Sequence, residues 1–471
     1  MSEFSVKDAL VVGKILSNIF RMLGFTMLLP FFVSLFYGEI FFAGIFLAMA
    51  VALVAFCSIA RFLIKEREPK LRHGIVSIAL AWFILGLISS IPFMAYGIGF
   101  VDSFFESVSG WTGTGLTMVQ KPELLPFSLN FWRGFTQWVG GFGIVILALL
   151  IFEKPKIARS LFMAEGRNEN FYLNVVKIAR LLAGIYLFYT AIGTILFMLA
   201  GLSLFDAVVH TFTTLATGGF STNSVGIGYY GHGAMLAAMA LMCIGGISFV
   251  SHRELLKFRF REFFSNPEIK LFFGVIAGAM LLVSANMLLL GSWHPLEQLF
   301  YIISALTGTG ATTFLHVSEF SQASIFILVM LMIGGASYGS TTGALKLWRI
   351  IVVYKVLRRE IHKIFLPEGA ITPIKVHGSC IEHEKALGVV AFVCLYLMLL
   401  AIGAVIFMFS GFGALDAFFT VASAQGNVGL ATVSGTAWFG MNPLLKILLT
   451  LHMILGRMEI VPFFVLLRAL K

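Results

Sequence analysis

The sequence predicts an all-α polytopic membrane protein: two N-terminal spans, then four pseudo-symmetric repeats of helix, re-entrant loop and helix around one axis. Three observations predict it. First, 59% of the 471 residues are apolar, only 12% are charged, and the mean hydropathy is +0.95; soluble domains run nearer ~45–50% apolar. Second, the chain holds a series of apolar stretches of about 20 residues, the length that crosses a bilayer as a helix. Third, one short motif recurs four times with a glycine in fixed register.

Ten such stretches are predicted as spans: Ile19–Phe36, Ile40–Ile64, Gly74–Tyr96, Phe131–Phe152, Val176–Ala200, Gly233–Val250, Leu271–Leu290, Ala323–Trp348, Leu387–Phe409 and Leu444–Leu467. The N-terminus, MSEFSVKD, has no cleavage-like site, so the first span itself would target the chain. The four cysteines, Cys57, Cys243, Cys380 and Cys394, show neither disulfide nor metal-ligand spacing and read as packing residues.

An even number of spans puts both termini on one side, and Lys and Arg identify it. They cluster in the N-terminal segment, between Arg61 and Arg72, Lys154 and Arg180, Arg253 and Lys270, Lys346 and Lys385, and at the C-terminus. Stretches 201–232 and 291–320 contain none. The positive-inside rule makes the basic side, with both termini, cytoplasmic. The net charge of +10 is therefore a topology signal and gives no support to nucleic-acid binding. The opposite face carries Asp102, Glu106, Glu123, Asp206, Glu297, Glu319 and Asp416, an acidic surface that attracts cations.

The outer loops hold the repeat. They read DSFFESVSGWTGTGLT (102–117), DAVVHTFTTLATGGFS (206–221), EQLFYIISALTGTGAT (297–312) and DAFFTVASAQGNVGLA (416–431). Each opens on an acid (Asp102, Asp206, Glu297, Asp416), and thirteen residues later comes Gly115, Gly219, Gly310 or Gly429. Beyond each glycine lies a second marker: Gly140-Gly141, Gly245-Gly246, Gly334-Gly335 and, imperfectly, Leu455-Gly456. The units are predicted as 1–72 for the two-helix hairpin, then 73–165, 166–266, 267–375 and 376–471 for the repeats.

The apolar runs inside these loops are too short to cross and read as re-entrant helices. An acid at the start is expected to cap the helix and complement its dipole. The chain then returns in extended form, with glycine permitting the turn. Such backbone is tolerated at membrane depth only inside protein or against water. Four such strands around one pore give a ring of carbonyl oxygens able to replace a cation's hydration shell. Thr112, Thr114, Thr217, Thr307 and Thr309 are equally consistent with local capping or helix packing.

Two spans are unusual. In 324–360 the middle, GGASYGSTTG, is rich in Gly, Ser and Thr, which predicts either a break beneath the ring that could move or a site of close helix packing. In 444–467, Arg457 lies in an apolar run; it reads either as facing a water-filled pore or as pairing with Glu459 or Glu106. Arg133 reads as snorkelling at the outer membrane edge. No metal cluster, nucleophile motif or acid–base pair suggests an enzyme.

With SVSGWTGTGLT, LATGGFST, ALTGTGATT, QGNVGLAT, FWRGFTQWVGGFGIVIL, IGGASYGSTTGALKLWR and LGRMEI, the chain resembles the Trk/Ktr/HKT superfamily of potassium uptake proteins, of the ten-span TrkH type, over about residues 15–470. The resemblance implies a potassium selectivity filter at the backbone carbonyls of Thr114, Gly115, Gly218, Gly219, Thr309, Gly310, Val428 and Gly429. It implies an intramembrane gate at Gly335, Gly339, Ser340, Thr341, Thr342 and Gly343, with Arg457 as pore arginine. No covalent cofactor is expected; potassium is the permeant ligand. A homodimer in the plasma membrane, regulated by a cytoplasmic nucleotide-binding RCK (TrkA-like) subunit, is implied as well. The cytoplasmic loops have no dinucleotide fingerprint, so that subunit would be a separate polypeptide. The sequence departs from the family pattern at Asn427, Ala311, Gly113 and Gly308; the two glycines predict looser backbones than threonine would give. Passive conduction and coupling to protons or sodium are both compatible with this pattern.

Overall fold

The computed structural model describes residues 5–64, 70–142, 169–367, 372–376 and 379–469. Helix α1 (Val6–Thr26) begins at a capping box in which Ser5 and Asp8 satisfy each other's backbone N–H groups. Asp8 also holds Arg72 (2.8 Å) and His73 (2.7 Å), which ties the N-terminus to the first repeat. Helices α2 (Leu28–Phe36) and α3 (Ile40–Leu63) complete a hairpin. At its turn the Glu39 carboxylate accepts the Phe127 and Ser128 N–H groups at 2.6 and 3.0 Å, so a side chain of the hairpin caps the inner helix of repeat one.

The first repeat comprises α4 (Leu71–Ser89), α5 (Ile91–Tyr96), the short α6 (Phe100–Thr112) and the inner α7 (Phe127–Gly141). The second has α8 (Glu169–Leu199), α9 (Leu204–Leu215) and α10 (Gly231–Gly246), followed by α11 (Phe249–Leu256) and α12 (Phe260–Ser265). The third has α13 (Pro267–Leu289), α14 (Pro295–Leu306) and α15 (Gln322–Gly334), then a non-helical loop, α16 (Leu347–Lys363) and an antiparallel hairpin of β1 (Ile374–Val376) and β2 (Ser379–Ile381). The fourth has α17 (His383–Phe409), α18 (Ala414–Gln425), α19 (Gly435–Phe439), α20 (Pro443–Arg457) and α21 (Val461–Ala469).

Seven described helices are long and apolar enough to cross a membrane, or eight if the bent pair α20–α21 counts as one span. The remaining predicted spans differ for local reasons. Helix α7 runs to Gly141, and its expected continuation to Phe152 lies outside the described residues. Helix α15 ends after 13 residues at Gly334. Between α20 and Pro462–Ala469 the axis turns by 109°. Two inner spans are therefore interrupted where one was expected. The β-hairpin departs from the all-α prediction: the alternation in Ile374-Lys375-Val376 turns Ile374 and Val376 inward against Val352 and Ala386.

The surface is that of a lipid-embedded body, with Phe36, Phe62, Leu289 and Phe409 each more than 80% exposed. The short helices lie inside instead. The 12–13 residues of α6, α9, α14 and α18 span roughly 20 Å. Most of their length is buried. Around α6, Trp111 and Trp132 pack edge to face, with Phe93 and Phe135 filling the seam to the hairpin. Of the cysteines, Cys57 is buried as expected, whereas Cys380 and Cys394 are exposed.

Candidate ion pathway

In all four repeats the opening acid is the third residue of its short helix, and the cap position is taken by Gly99, Ser203, His294 or Gly413. The acids thus complement the helix dipole without serving as N-caps, which corrects the expected capping role. They also grip other parts of the fold. Asp206 accepts the Thr222 hydroxyl (2.7 Å) and Asp416 the Thr432 hydroxyl (2.6 Å), each clamping the strand three residues beyond its glycine. In repeat one Asp102 takes buried Lys446 of α20 at 2.6 Å, which joins the first repeat to the last.

At the other end of each short helix the chain turns in the same way. Thr114, Gly218, Thr309 and Val428 donate their N–H groups to the carbonyl five residues back, at 2.9, 2.7, 2.9 and 2.9 Å. The following glycines, Gly115, Gly219, Gly310 and Gly429, all have left-handed φ, from +69° to +105°. Their lack of a side chain is a matter of space as well. A Cβ on Gly115 would overlap the Gly218 carbonyl oxygen, on Gly219 that of Thr309, on Gly310 that of Val428, and on Gly429 that of Thr114. Repeat one touches two, two touches three, three touches four, and four touches one. The four strands close a ring of backbone carbonyls, each abutting its neighbour's glycine. All four glycines line one cavity of about 490 Å³, which Arg133 and Trp438 also reach.

Two residues before each glycine, φ is again left-handed: Gly113 (64°), Thr217 (53°), Gly308 (65°) and Asn427 (53°). The conformation is the same in all four strands. Gly113 and Gly308 therefore adopt the same turn as Thr217 and Asn427, and Asn427 fits as a residue that tolerates this region. The threonines of TGTG bond each other, Thr112 to Thr114 and Thr307 to Thr309, both at 2.7 Å, while Thr112 and Thr307 also cap carbonyls four residues back.

The second glycine marker has a packing cause. A Cβ at Gly140, Gly245 or Gly456 would strike the carbonyl of Trp111, Leu215 or Gln425, at the ends of α6, α9 and α18. Inner helix and short helix meet there backbone to backbone. In repeat three Gly334 has no such neighbour, and the chain leaves the helix at Gly335 (φ +66°).

The segment after Gly335 is not helical, so close packing of a continuous helix is not the reason for its composition. It docks on the end of α10 through Ser337 N–H to Gly246 O (3.0 Å) and Thr341 N–H to Gly245 O (3.3 Å). Gly343 lies against Gly426 and Asn427, just below the ring, and a Cβ there would come within 2.6 Å of the Gly426 carbonyl oxygen. Gly339 (φ +79°) faces Ser248. Ser340 bonds Ser337 O (2.6 Å) and Thr342 Oγ1 (2.8 Å). Arg457 donates to Thr341 O and Gly140 O, both at 2.6 Å, and so bridges this loop to the inner helix of repeat one. It does not pair with either acid considered from the sequence. Glu459 instead pairs with Lys346 (3.1 Å) and Arg349 (2.6 Å), and Glu106 with Arg133 (2.8 Å).

Arg133 corrects a second expectation. Its side chain is 2% exposed and does not snorkel. It also donates to Ser221 O (3.0 Å) and stacks over Phe220, on the strand of repeat two. One residue missed from the sequence is Gln137, which donates to Gly218 O (2.7 Å) and accepts the Phe220 N–H (3.1 Å), holding that strand from behind. The one sequence signal was its place within FWRGFTQWVGG, four residues after Arg133 and so on the same helix face.

The chain matches the family model described as TrkH, cation transport protein, over residues 43–471. It is 32% identical to an uncharacterized cation transporter of Methanocaldococcus jannaschii, covering 98% of this chain and 95% of that one. It is 30% identical to the Trk system potassium uptake protein TrkH of Halomonas elongata, over 96% of each. The crystal structure of the potassium transporter TrkH from Vibrio parahaemolyticus superposes with a TM-score of 0.84 at 28% identity, covering 97% of this chain and 98% of that one.

Proposed function

The chain belongs to the TrkH family of cation transport proteins, and from that premise we propose that it carries potassium across the plasma membrane for uptake, by passive channel-like permeation through the carbonyl ring. The closed cycle of four carbonyl–glycine contacts carries this reading. The cycle brings in the carbonyls of Thr114, Gly218, Thr309 and Val428; together with those of Gly115, Gly219, Gly310 and Gly429 they are the eight ligands of this reading, with no side chain at the glycines. The short helices direct their carbonyl ends toward the membrane interior, which favours a cation there. Potassium is thus the permeant ligand, and the transport needs no covalent cofactor and no enzymatic chemistry.

The loop of Gly335–Gly343, with Arg457 bonded to it, acts as the gate. Passive conduction is favoured over coupling to protons or sodium because buried Glu106 is already engaged by Arg133, and the half-buried Asp102 and Glu459 are engaged by Lys446 and by Lys346 and Arg349. Both termini are cytoplasmic, in keeping with the Lys/Arg distribution. The protein acts as a homodimer under a separate nucleotide-binding regulatory subunit of the RCK type, the assembly that its family resemblance implies. The test is the reversal potential of purified protein in planar bilayers. It should follow the potassium gradient alone; a shift with pH or sodium at fixed potassium gradient would replace conduction by coupled transport.

A further inference from the structure

The four ring strands are not equivalent two residues before the glycine. Repeats one and three have Gly113 and Gly308 there; repeats two and four have Thr217 and Asn427, in the same left-handed backbone. That conformation costs glycine nothing and is disfavoured for a β-branched residue. Both side chains reach the loop below. The Thr217 hydroxyl meets that of Thr341 at 2.9 Å. The Asn427 carboxamide lies against Gly343, where a Cβ would come within 2.6 Å of its Oδ1. From the same residue Nδ2 donates to the Thr114 hydroxyl (2.9 Å) and to Met453 O (2.8 Å), so Asn427 also touches the ring strand of repeat one and helix α20.

Thr341 is the most heavily tied residue of the loop. Its N–H and hydroxyl both reach Gly245 O, its carbonyl takes Arg457, and its hydroxyl takes Thr217. The loop cannot leave its place without breaking a bond to a residue whose own carbonyl precedes the ring by one position. We propose that Thr217 and Asn427 are coupling residues: they join the loop to the inner end of the ring, so that displacing the loop and altering the ring are one event. By linkage, a change at either end then biases the other equally. This rests on the permeation reading above.

The test is hydrogen exchange of residues 335–346 in the full-length protein in lipid nanodiscs, with potassium flux into liposomes measured on the same variants. Thr217→Ser keeps the hydroxyl and should exchange as the parent does. Thr217→Val removes the bond to Thr341, and Thr341→Val removes that bond together with the hydroxyl's bond to Gly245 O. Thr217→Val should speed exchange of the loop by about threefold to tenfold, the worth of one hydrogen bond, Thr341→Val by at least as much, and both should raise flux in parallel. The double Val variant should go no further than the faster single one. Unchanged exchange in both Val variants, a double variant equal to the product of the singles, or faster exchange without altered flux in a conducting parent would each overturn the coupling. A parent that passes no potassium would remove the permeation reading, while the exchange data would still decide whether Thr217 holds the loop.

Discussion

Arg133 and Glu106 form an ion pair of 2.8 Å with side chains 2% and 0% exposed, one on the inner helix of repeat one and the other on its short helix. Glu106 further accepts the Met118 N–H (2.8 Å) and the Thr117 hydroxyl, and Arg133 reaches the strand of repeat two. Breaking a buried pair from one side leaves a charge without its partner, at a cost on the order of 3–5 kcal/mol. Arg133→Leu is therefore expected to lower thermal stability in detergent strongly, and Glu106→Gln less, because an amide still accepts a hydrogen bond. Parent-like melting of Arg133→Leu would mean that the pair does not hold these helices together.

Gly115→Ser should weaken discrimination between potassium and sodium. The added side chain meets the Gly218 carbonyl and demands a left-handed backbone from serine. A loss of about 1.4 kcal/mol in relative ion binding would change the permeability ratio roughly tenfold. Bi-ionic reversal potentials measure it directly, and an unaltered ratio would remove Gly115 from the ring.

Gln137→Leu should also lower the potassium-to-sodium permeability ratio, although Gln137 lies behind the strand. It leaves Gly218 O and Phe220 N–H without their side-chain partner, about 1–3 kcal/mol for each buried group. Gln137→Glu keeps the acceptor for Phe220 and loses the donor to Gly218, so its ratio should fall between the two. Equal ratios in all three proteins would assign Gln137 to packing alone.

Gly343→Ala should change basal potassium flux more than Gly339→Ala. At Gly343 the methyl group presses on Asn427 and Gly426 directly beneath the ring; at Gly339 it meets only the Ser248 hydroxyl, at 3.2 Å, and the cost is that of a left-handed alanine. Flux assays in liposomes at matched protein density compare the two. The reverse order would shift the working part of the loop toward α10.

The glycine register was legible because it is a one-dimensional signal: thirteen residues from acid to glycine, four times over. The break at Gly334–Gly343 was legible for a similar reason, since its composition contradicts a helix locally. What escaped reading involves partners far apart in sequence. Lys446 finds Asp102, Glu39 finds the start of α7, and Gln137 finds Gly218, all across repeat boundaries. Periodicity says which face of a helix is apolar and not which repeat it meets. Arg133 looked peripheral because its span was placed by hydropathy alone, which cannot register that a carboxylate waits on the neighbouring helix. The second glycine marker was visible as a pattern, but its cause, the carbonyl ends of the short helices pressed against it, required the packing.

Four identical subunits around an axis must repeat every feature four times. Here the ring is nearly fourfold, yet what the described residues place beneath it is single: one Arg457 and one loop with a Thr341 to bind it. Four arginines converging on that space would repel one another, and four loops would fill it. Writing the repeats into one chain allows the ring to stay almost symmetric while each of the other positions specialises separately. The cost of that freedom is covalent: no repeat can be exchanged, and an error in any one of them is present in every pore.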